Sequence, residues 1–523
     1  MDDVHRLRAG MFAAWVVLLL GGVLSDHGVA QAESPPSVQR KLRLGVEDAV
    51  RLATTHNSSL KVSFFNHLID RTRIAEAEAA FEPVGFVSAD GGVSEVSFPQ
   101  IFPTGNINPD GTPEFFQTIV TDSSVTADWL AGARGLLPTG ATWQLQVRTD
   151  YRDREAGGLV NPSFQTATTA TFTQPILRGA WLQYNWASTR QAEFVEQQSR
   201  QRFRGDVLDT ILQVHEAYWN YVFAIQDLKV KRRSLSVARE LLDINRIKVE
   251  TGVFAPIEIT SAEAGVASRV TDVLVAENQV KETEDILKRL VLPFRGLGEW
   301  KTSIIPVDTV SETRWRIPDL DAAIQLALKE RPELLEARIQ LRSRDLSVAV
   351  ADNETLPKLD IKGSANFTGL DATFEDSFLG GFGPTGAESW SVGMALEFPL
   401  GNKAARAKLS RSRLERDQAL YSYRDLQLAA VADVRKAWRA VKISEKTIAS
   451  RKKSAELKEE ELRNERVKLE SKVSTNFEVL RIEDDLAQRR SELIRTLADY
   501  RINLARLARA IGSSLDVLKW PRN

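Results

Sequence analysis

The sequence predicts an α+β membrane protein in which long coiled-coil helices and transmembrane β-strands form one structural unit that occurs twice. Three observations lead to this fold class: a helical hairpin that is repeated along the chain, segments of alternating polarity about 10 residues long, and an N-terminal export signal. At 523 residues the chain is too long for one ordinary hydrophobic core, so two or more units are expected.

The repeated hairpin is the clearest of these signals. Residues 246–266 and 466–486 align at a constant offset of 220 (466 − 246), and both consist of a helical pattern, a few turn residues and a second helical pattern. The matching pairs are Arg246 and Arg466, Lys248 and Lys468, Glu250 and Glu470, Val253 and Val473, Glu258 and Glu478, and Ile259 and Val479. A second match, at an offset of 274 (323 − 49), relates the helix around Ala49 to the helix around Ala323.

The N-terminus has the parts of a secretory signal peptide. Arg6 and Arg8 precede the apolar run Met11–Leu24, and Ala30-Gln31-Ala32 provides a small-residue cleavage site, so residues 1–32 are predicted to be removed. An uncleaved membrane anchor is the alternative, although the run is shorter than the ~20 residues that span a bilayer.

Composition argues against several classes of function. The chain has no cysteine, which excludes disulfides and thiolate chemistry, and no pair of its five histidines has ligand spacing. Residues 33–523 carry 67 basic (69 − 2) and 67 acidic (70 − 3) side chains, which gives no basic footprint for nucleic acid. There is no GxSxG, P-loop or HExxH motif, and His215 lies on an apolar helical stripe, as a packed core histidine would. We therefore predict no catalytic residue, cofactor or metal, and no enzyme activity.

Alternation with a period of two residues marks the predicted strands. It is sharpest in Thr142–Tyr151, where Trp143, Leu145 and Val147 alternate with glutamine and arginine. The other candidates are Val84–Phe98, Val125–Leu137 and Phe164–Gln174 in the first unit, and segments on either side of a Gly-rich loop (380–386) in the second. Strands of about 10 residues suit a tilted membrane strand, whereas a soluble sandwich with one wet face is the alternative.

The links between these strands differ in length. Residues 137–140 form a short turn, whereas 99–122 and 154–163 are rich in Gly, Pro, Asn and Asp and are predicted to be long loops. Short turns on one side and long loops on the other are typical of outer-membrane barrels. The alternation leaves open whether the first unit contributes two strands or four.

Long helices follow the strands in each unit. Residues 181–250 contain no proline, and their apolar positions recur every 7 residues at Leu228, Leu235, Leu242 and Val249. The second unit shows the same spacing at Val434, Val441, Ile448, Ala455, Leu462 and Leu469. A helix of about 70 residues is ~105 Å long, so the pattern indicates coiled-coil packing.

These elements divide the chain into two repeats and a linker. The first repeat, 33–298, has strands at about 84–175, a long helix at about 181–250 and a return helix at about 257–292. A linker at 299–317 leads to the second repeat, 318–523, with strands at about 358–399, a long helix at about 402–470 and a return helix at about 476–511.

This order of elements resembles the outer membrane efflux protein family, the TolC-like channels. The segments that carry the resemblance are LRLGVEDAVRLA and LDAAIQLALKERPEL at the starts of the repeats, FTQPILRG (Phe172–Gly179) and EFPLGN (Glu397–Asn402) between strands and long helices, and the two hairpin tips. No single segment is specific, but their order and duplication are. The resemblance implies a TolC-like homotrimer in the bacterial outer membrane. Its chains would pool four or six strands each into one α/β-barrel, with a helical tunnel through the periplasm.

The resemblance also implies a function. The protein would be the outer-membrane exit duct of a tripartite efflux or type I secretion system, in which transport through the duct is passive. An inner-membrane transporter would supply the energy and a periplasmic adaptor (membrane fusion) protein would couple the two, while outer-membrane lipid surrounds the barrel. The alternative is a structural or scaffold protein of the cell envelope without an open bore.

Both hairpin tips acquire roles from the resemblance. The adaptor would contact the turn residues of the tips, which are Gly252, Val253, Phe254, Ala255, Pro256, Val473, Ser474, Thr475 and Asn476. The glycine that the family has at the tip is kept as Gly252, but the second repeat has Lys472 in its place.

Acidic side chains just after the second tip narrow the tunnel in the family. Glu478 keeps the acid at the first such position, whereas Arg481 stands at the next, one helical turn on. Our hypothesis is that Glu478 and Arg481 form ion pairs between chains and hold the tunnel shut. Alternatively, Arg481 pairs within its own helix, with Glu478 or Asp485.

Overall fold

The computed structural model describes residues 41–155, 159–293, 296–309, 317–383, 386–471 and 473–513. The signal peptide predicted at 1–32 and the tip residue Lys472 lie outside the described residues. The first half consists of β1 (Lys41–Leu44), α1 (Val46–His56), α2 (Ser58–Glu78), β2 (Val84–Ile107), β3 (Pro113–Leu136), β4 (Thr142–Arg154), β5 (Ser163–Pro175), α3 (Leu182–Asn185), α4 (Ala187–Glu250) and α5 (Ile257–Val291). The rest consists of α6 (Leu297–Trp300), β6 (Ser303–Pro306), α7 (Leu320–Glu330), α8 (Pro332–Asn353), β7 (Lys358–Asp371), α9 (Phe374–Phe382), β8 (Ala387–Glu397), α10 (Lys403–Glu470) and α11 (Asn476–Ile511).

Six strands form one antiparallel sheet in the order β2-β3-β4-β5-β7-β8. The first half thus contributes four strands, which settles the choice that the alternation left open. The two halves join where β5 pairs with β7, from Phe164 opposite Asp371 to Pro175 opposite Asp360. Within the described chain, β2 and β8 are the edges of this sheet.

The long loop predicted at 99–122 is wrong. There β2 and β3 continue as a paired hairpin, with Phe102 opposite Phe116, and the connection between the strands shrinks to residues 108–112. Pro99 and Pro103 suggested a break in the strand, but β2 is an edge strand, where a proline need not interrupt a ladder of hydrogen bonds. The distal part of the hairpin extends beyond β4, whose pairing with β3 stops at Ser124.

The sheet has one apolar face and one polar face. The register places Leu145 and Val147 of β4 on the same face as Ala170 of β5, and Trp390 and Val392 of β8 continue this face. The opposite face carries Gln144, Gln146, Arg148, Asp150, Thr169, Asn366, Ser364 and Ser391. An apolar outer band and a polar interior are what a barrel needs when lipid surrounds it and water fills it.

The Gly-rich loop predicted between the strands of the second half is also wrong in part. Residues 374–382 form the helix α9, whose side facing the sheet consists of the buried residues Ser377, Gly380 and Gly381. Glycine weakens a helix in isolation, but here the missing side chains allow the helix backbone to approach the sheet.

The long helices pack as two antiparallel pairs, α4 with α5 and α10 with α11. In the second pair Val434 and Val441, two of the residues at heptad spacing, are fully buried in a core with Leu504 and Leu507 of the return helix. Two separate cores form, because Tyr218 and Val222 of α4 instead pack with Leu287 of α5. No helix among the described residues is long and apolar enough to cross a membrane.

A small parallel sheet, which the sequence did not predict, fixes the N-terminal arm. Strand β1 pairs with β6 between Lys41 and Ser303 and between Leu44 and Pro306. The hydroxyl of Tyr221 donates to the carbonyl of Ile304 at 2.6 Å, and the hydroxyl of Tyr218 lies 3.1 Å from the carbonyl oxygen of Leu44. Two tyrosines of α4 therefore hold the arm and the connecting segment against the long helix.

Candidate functional site

The first hairpin tip closes with a Schellman motif at the end of α4. The N–H of Val253 donates to the carbonyl of Lys248 at 2.8 Å, and the N–H of Gly252 donates to the carbonyl of Val249 at 2.9 Å. Gly252 has φ +76°, a left-handed conformation that glycine adopts without strain. The hydrogen bonds satisfy carbonyls that the end of a helix leaves free.

The second tip repeats the first bond at the predicted offset. The N–H of Val473 donates to the carbonyl of Lys468 at 2.9 Å, which is the counterpart of the bond between Val253 and Lys248. Thr475 then caps α11, because its side-chain oxygen accepts the N–H of Glu478 at 3.3 Å. The duplication seen in the sequence thus extends to the hydrogen bonds of the turns.

Each tip exposes three large apolar side chains at equivalent positions. They are Ile247, Val253 and Ile257 in the first tip and Val467, Val473 and Phe477 in the second, each pair separated by 220 residues (for example 477 − 257). Sequence reasoning found only the two valines, because it considered only the turns. The signal that could have found the rest is the same offset, which puts an apolar residue at both flanking positions.

Most of the other predicted tip residues also lie at the surface. Ala255 and Pro256 are exposed, and Phe254 is half-buried under the Lys248 ammonium, which lies 4.7 Å from the ring centroid. Thr475 is exposed and Ser474 half-buried. Asn476 is the exception, because its side chain is 3% exposed and so does not contribute to the tip surface.

Glu478 and Arg481 contact each other within α11. The Nε and Nη2 atoms of Arg481 lie 2.9 and 2.7 Å from the same carboxylate oxygen, Oε2 of Glu478. This hydrogen bond raises the pKa of the arginine above its ordinary value. Within one chain the geometry is that of the alternative hypothesis, a pair inside the helix.

The acidic run that follows Arg481 is also paired within the chain. Glu483 is buried and lies 3.4 Å from Arg466 of α10, and Asp485 lies 3.2 Å from Lys458 of the same helix. Asp484 faces the other hairpin, where its carboxylate lies 3.5 Å from the guanidinium of Arg269 on α5. Each carboxylate of this run therefore has a basic partner, and the segment does not form an acidic surface of its own.

At the far end of the molecule, charged side chains line the polar face of the sheet. Arg148 Nε lies 2.6 Å from Asp150 and its Nη2 lies 3.5 Å from Asp128 on the neighbouring strand. Arg152 and Arg154 continue the same row of β4. Such charges suit a surface that borders water rather than lipid.

The described residues contain no cluster of His, Asp or Glu that could hold a metal ion. His215 is buried in the helical core as the sequence predicted, and its burial lowers its pKa to about 4, so the ring is neutral at physiological pH. The described surface therefore offers docking tips, paired charges and a two-faced sheet rather than a catalytic constellation.

Comparison with known proteins agrees with this geometry. A family model described as "Outer membrane efflux protein" matches residues 140–291 and 323–513, which include both hairpins. The outer membrane protein TolC of Vibrio cholerae is 23% identical over 260 residues, which are 49% of this chain and 54% of that protein. The alkaline protease secretion protein AprF of Pseudomonas aeruginosa is 24% identical over 324 residues, or 59% of this chain and 62% of that protein.

These two alignments span only 54% and 62% of the curated relatives. The fold match is broader. The crystal structure of the CmeC outer membrane channel of Campylobacter jejuni superposes with a TM-score of 0.64 at 16% identity, covering 89% of this chain and 85% of that one.

Proposed function

This chain belongs to the outer membrane efflux protein family, and from that premise we propose that it is the outer-membrane exit duct of a tripartite efflux or type I secretion system. Substrates would pass through it by diffusion. An inner-membrane transporter would supply the energy, and a periplasmic adaptor would join the two proteins.

The observation that carries this proposal is the opposite chemistry of the two ends of the molecule. One end is a sheet with an apolar face for lipid and a polar face for water. At the other end two helical hairpins present duplicated apolar tips. The helices between the ends, α4 with 64 residues and α10 with 68, are each ~100 Å long. That length suits a duct that crosses the periplasm.

Closure of the duct requires further copies of the chain. The edges β2 and β8 have no partner strand within the described chain, and an open sheet edge is not tolerated in lipid. We propose a homotrimer in which β8 of one protomer pairs with β2 of the next. The antiparallel junction between β5 and β7, where the two halves of one chain meet, provides the geometric precedent.

The tips are the proposed docking surface for the adaptor. Apolar side chains that are exposed in a free protein and clustered at the end of a hairpin mark an interaction site. Val253 and Val473 are 52% and 78% exposed, and the flanking residues Ile257 and Phe477 enlarge each patch. Two similar patches on one chain would allow an adaptor to engage each hairpin in the same way.

For the tunnel entrance we propose that each chain contributes the neutral pair of Glu478 and Arg481 instead of an uncompensated acid. The short contact inside α11 supports this arrangement. Because both side chains are substantially exposed, the pair remains able to exchange partners with a neighbouring chain, as the gate hypothesis requires.

The experiment that tests the function is single-channel recording of the purified mature protein in a planar lipid bilayer. A duct gives discrete conductance steps, and removal of the energy source has no effect on them because the flow is passive. A trimer that inserts into the bilayer but conducts no ions would instead support a scaffold without a bore.

A further inference from the structure

Helix α9 lies flat against the apolar face of the sheet near its outer rim. Its residue Ser377 is buried against β5, where its Oγ accepts the N–H of Thr166 at 3.0 Å and lies 3.1 Å from the hydroxyl of Thr166. Thr166 in turn contacts Thr149 of β4 at 3.0 Å. A side chain at Gly381 would lie 2.8 Å from Cγ2 of Thr166, so only a glycine fits there.

The register decides which side of the sheet the helix covers. Thr149 shares its face of β4 with Leu145 and Val147, whereas Arg148 and Asp150 point to the other face. Because lipid surrounds the apolar face of a barrel, α9 lies outside the barrel wall. It follows β7, which leads away from α8 and the long helices, so the helix lies at the end of the sheet that is distant from the periplasmic tips.

The outward side of α9 is unusually apolar for so short a helix. Phe374, Phe378, Leu379 and Phe382 are all exposed, although α9 has only nine residues. The three phenylalanines form a continuous row, with ring centroids 5.6 and 4.8 Å apart, and Phe164 of β5 extends the row at 6.2 Å. The side of the helix that packs on the sheet is built of small residues, so nothing in the described chain covers these large ones.

We propose that α9 is an interfacial helix that binds the acyl chains of the outer leaflet at the border with the headgroups. Its apolar row is continuous with the lipid-facing band of the sheet, which identifies lipid as the occupant. Aromatic side chains concentrate at this level of membrane barrels. The acidic first turn, with Glu375 and Asp376, lies at the polar end of the same helix. Short amphipathic helices with such a composition lie in the membrane interface.

The absence of cysteine from the sequence makes the proposal directly testable. A bimane fluorophore is attached to Leu379→Cys, and the protein is reconstituted into phosphatidylcholine vesicles whose acyl chains carry bromine near the headgroup. We expect lipid bromine to quench bimane at this position about as strongly as at Val392→Cys, on the lipid-facing side of β8. Aqueous iodide should quench it severalfold less than bimane on Asp110→Cys, which lies in the turn between β2 and β3.

Three results would overturn the proposal. Strong quenching by iodide with none by bromine would place α9 in water. Protection from both quenchers would mean that protein covers the helix, whether from a second trimer or from another segment. Quenching equal to that at Ser389→Cys, on the polar face of β8, would place α9 on the wrong side of the sheet. All of these variants change exposed positions, so failure to fold is not expected, and discrete channel conductance of each labelled protein checks it.

Discussion

Arg269 of α5 reaches across to Asp484 of α11, with Nη2 of the arginine 3.5 Å from the carboxylate and 3.3 Å from the carbonyl oxygen of Leu480. The arginine is 8% exposed, and its Nε also lies 3.3 Å from the hydroxyl of Ser234 on α4. One guanidinium thus joins the first hairpin to the return helix of the second, close to the proposed tunnel entrance.

Removal of this guanidinium should loosen the two hairpins. We expect Arg269→Ala to lower the free energy of unfolding by about 1–3 kcal/mol, because it leaves buried hydrogen-bond partners unsatisfied. Asp484→Ala should cost less, since the bond to the Leu480 carbonyl remains. Urea unfolding in detergent, followed by helical circular dichroism, measures both effects. Arg246→Ala is the control, because Arg246 pairs with Glu263 inside the first hairpin at the surface. Equal losses for Arg269→Ala and Arg246→Ala would refute the link.

The pair of Glu478 and Arg481 predicts a change in ion selectivity. Arg481→Ala removes the positive member of a pair at 2.7 Å and leaves Glu478 uncompensated, so the open channel should become more selective for cations. Reversal potentials in a salt gradient across a planar bilayer measure this. Arg489→Ala is the matched control, because Arg489 forms the same type of pair with Glu492 farther along α11.

The same variants decide between pairing within a chain and a gate between chains. If ion pairs between chains hold the tunnel shut, both Glu478→Ala and Arg481→Ala should raise the leak of the closed channel. Opening costs of ~1–3 kcal/mol per coupling correspond to 5- to 150-fold changes in the equilibrium. An unchanged leak in both variants would eliminate the gate and leave the pair as a local feature of α11.

Charged substitutions at the tips should abolish adaptor binding without unfolding the hairpins. Val253→Asp places a carboxylate in the first apolar patch, and Val473→Asp does so in the second. We expect each to weaken binding of the adaptor on the order of tenfold or more, as loss of an apolar anchor at an interface does. Leu457→Asp is the control, because Leu457 on α10 is 52% exposed, as is Val253, but lies away from the tips. Surface plasmon resonance with the adaptor compares the three, and equal weakening by Leu457→Asp would argue against a docking surface at the tips.

Periodicity was sufficient to predict the features that depend on local pattern. Heptad spacing identified Val434 and Val441, which are fully buried. The offset of 220 residues between the tips reappears in the bonds from Val253 to Lys248 and from Val473 to Lys468. The fold class is confirmed for the same reason, since a helical stripe and a two-residue alternation each describe one element and its solvent.

The features that sequence reasoning missed depend on contacts between distant residues. Strand β1 acquires its partner β6 from 262 residues away (303 − 41), so no local pattern marks it. Helix α9 contains Gly380 and Gly381, which signal a loop until the sheet beneath them is known. Pro99 signals a break unless its strand lies at an edge, which only the strand order reveals. Burial of Asn476 likewise arises from tertiary packing rather than from the turn itself.

The contact between Glu333 and Arg509 predicts a dependence of stability on pH. Burial alone would raise the pKa of Glu333, but its hydrogen bond with Arg509 at 2.5 Å and the charge of that arginine lower it overall below the ordinary 4.5. A carboxyl whose pKa is lowered by folding stabilises the protein above its unfolded pKa, and this stabilisation is lost as the pH falls through the folded pKa. Glu333→Gln should therefore destabilise the protein at neutral pH, on the order of 1 kcal/mol since a third of the side chain remains in water, but have little effect in acid below both pKa values. Thermal unfolding across this range tests it, with Glu336→Gln on the same helix as control, and a loss for Glu333→Gln that does not vary with pH would rule out the charged contact as its cause.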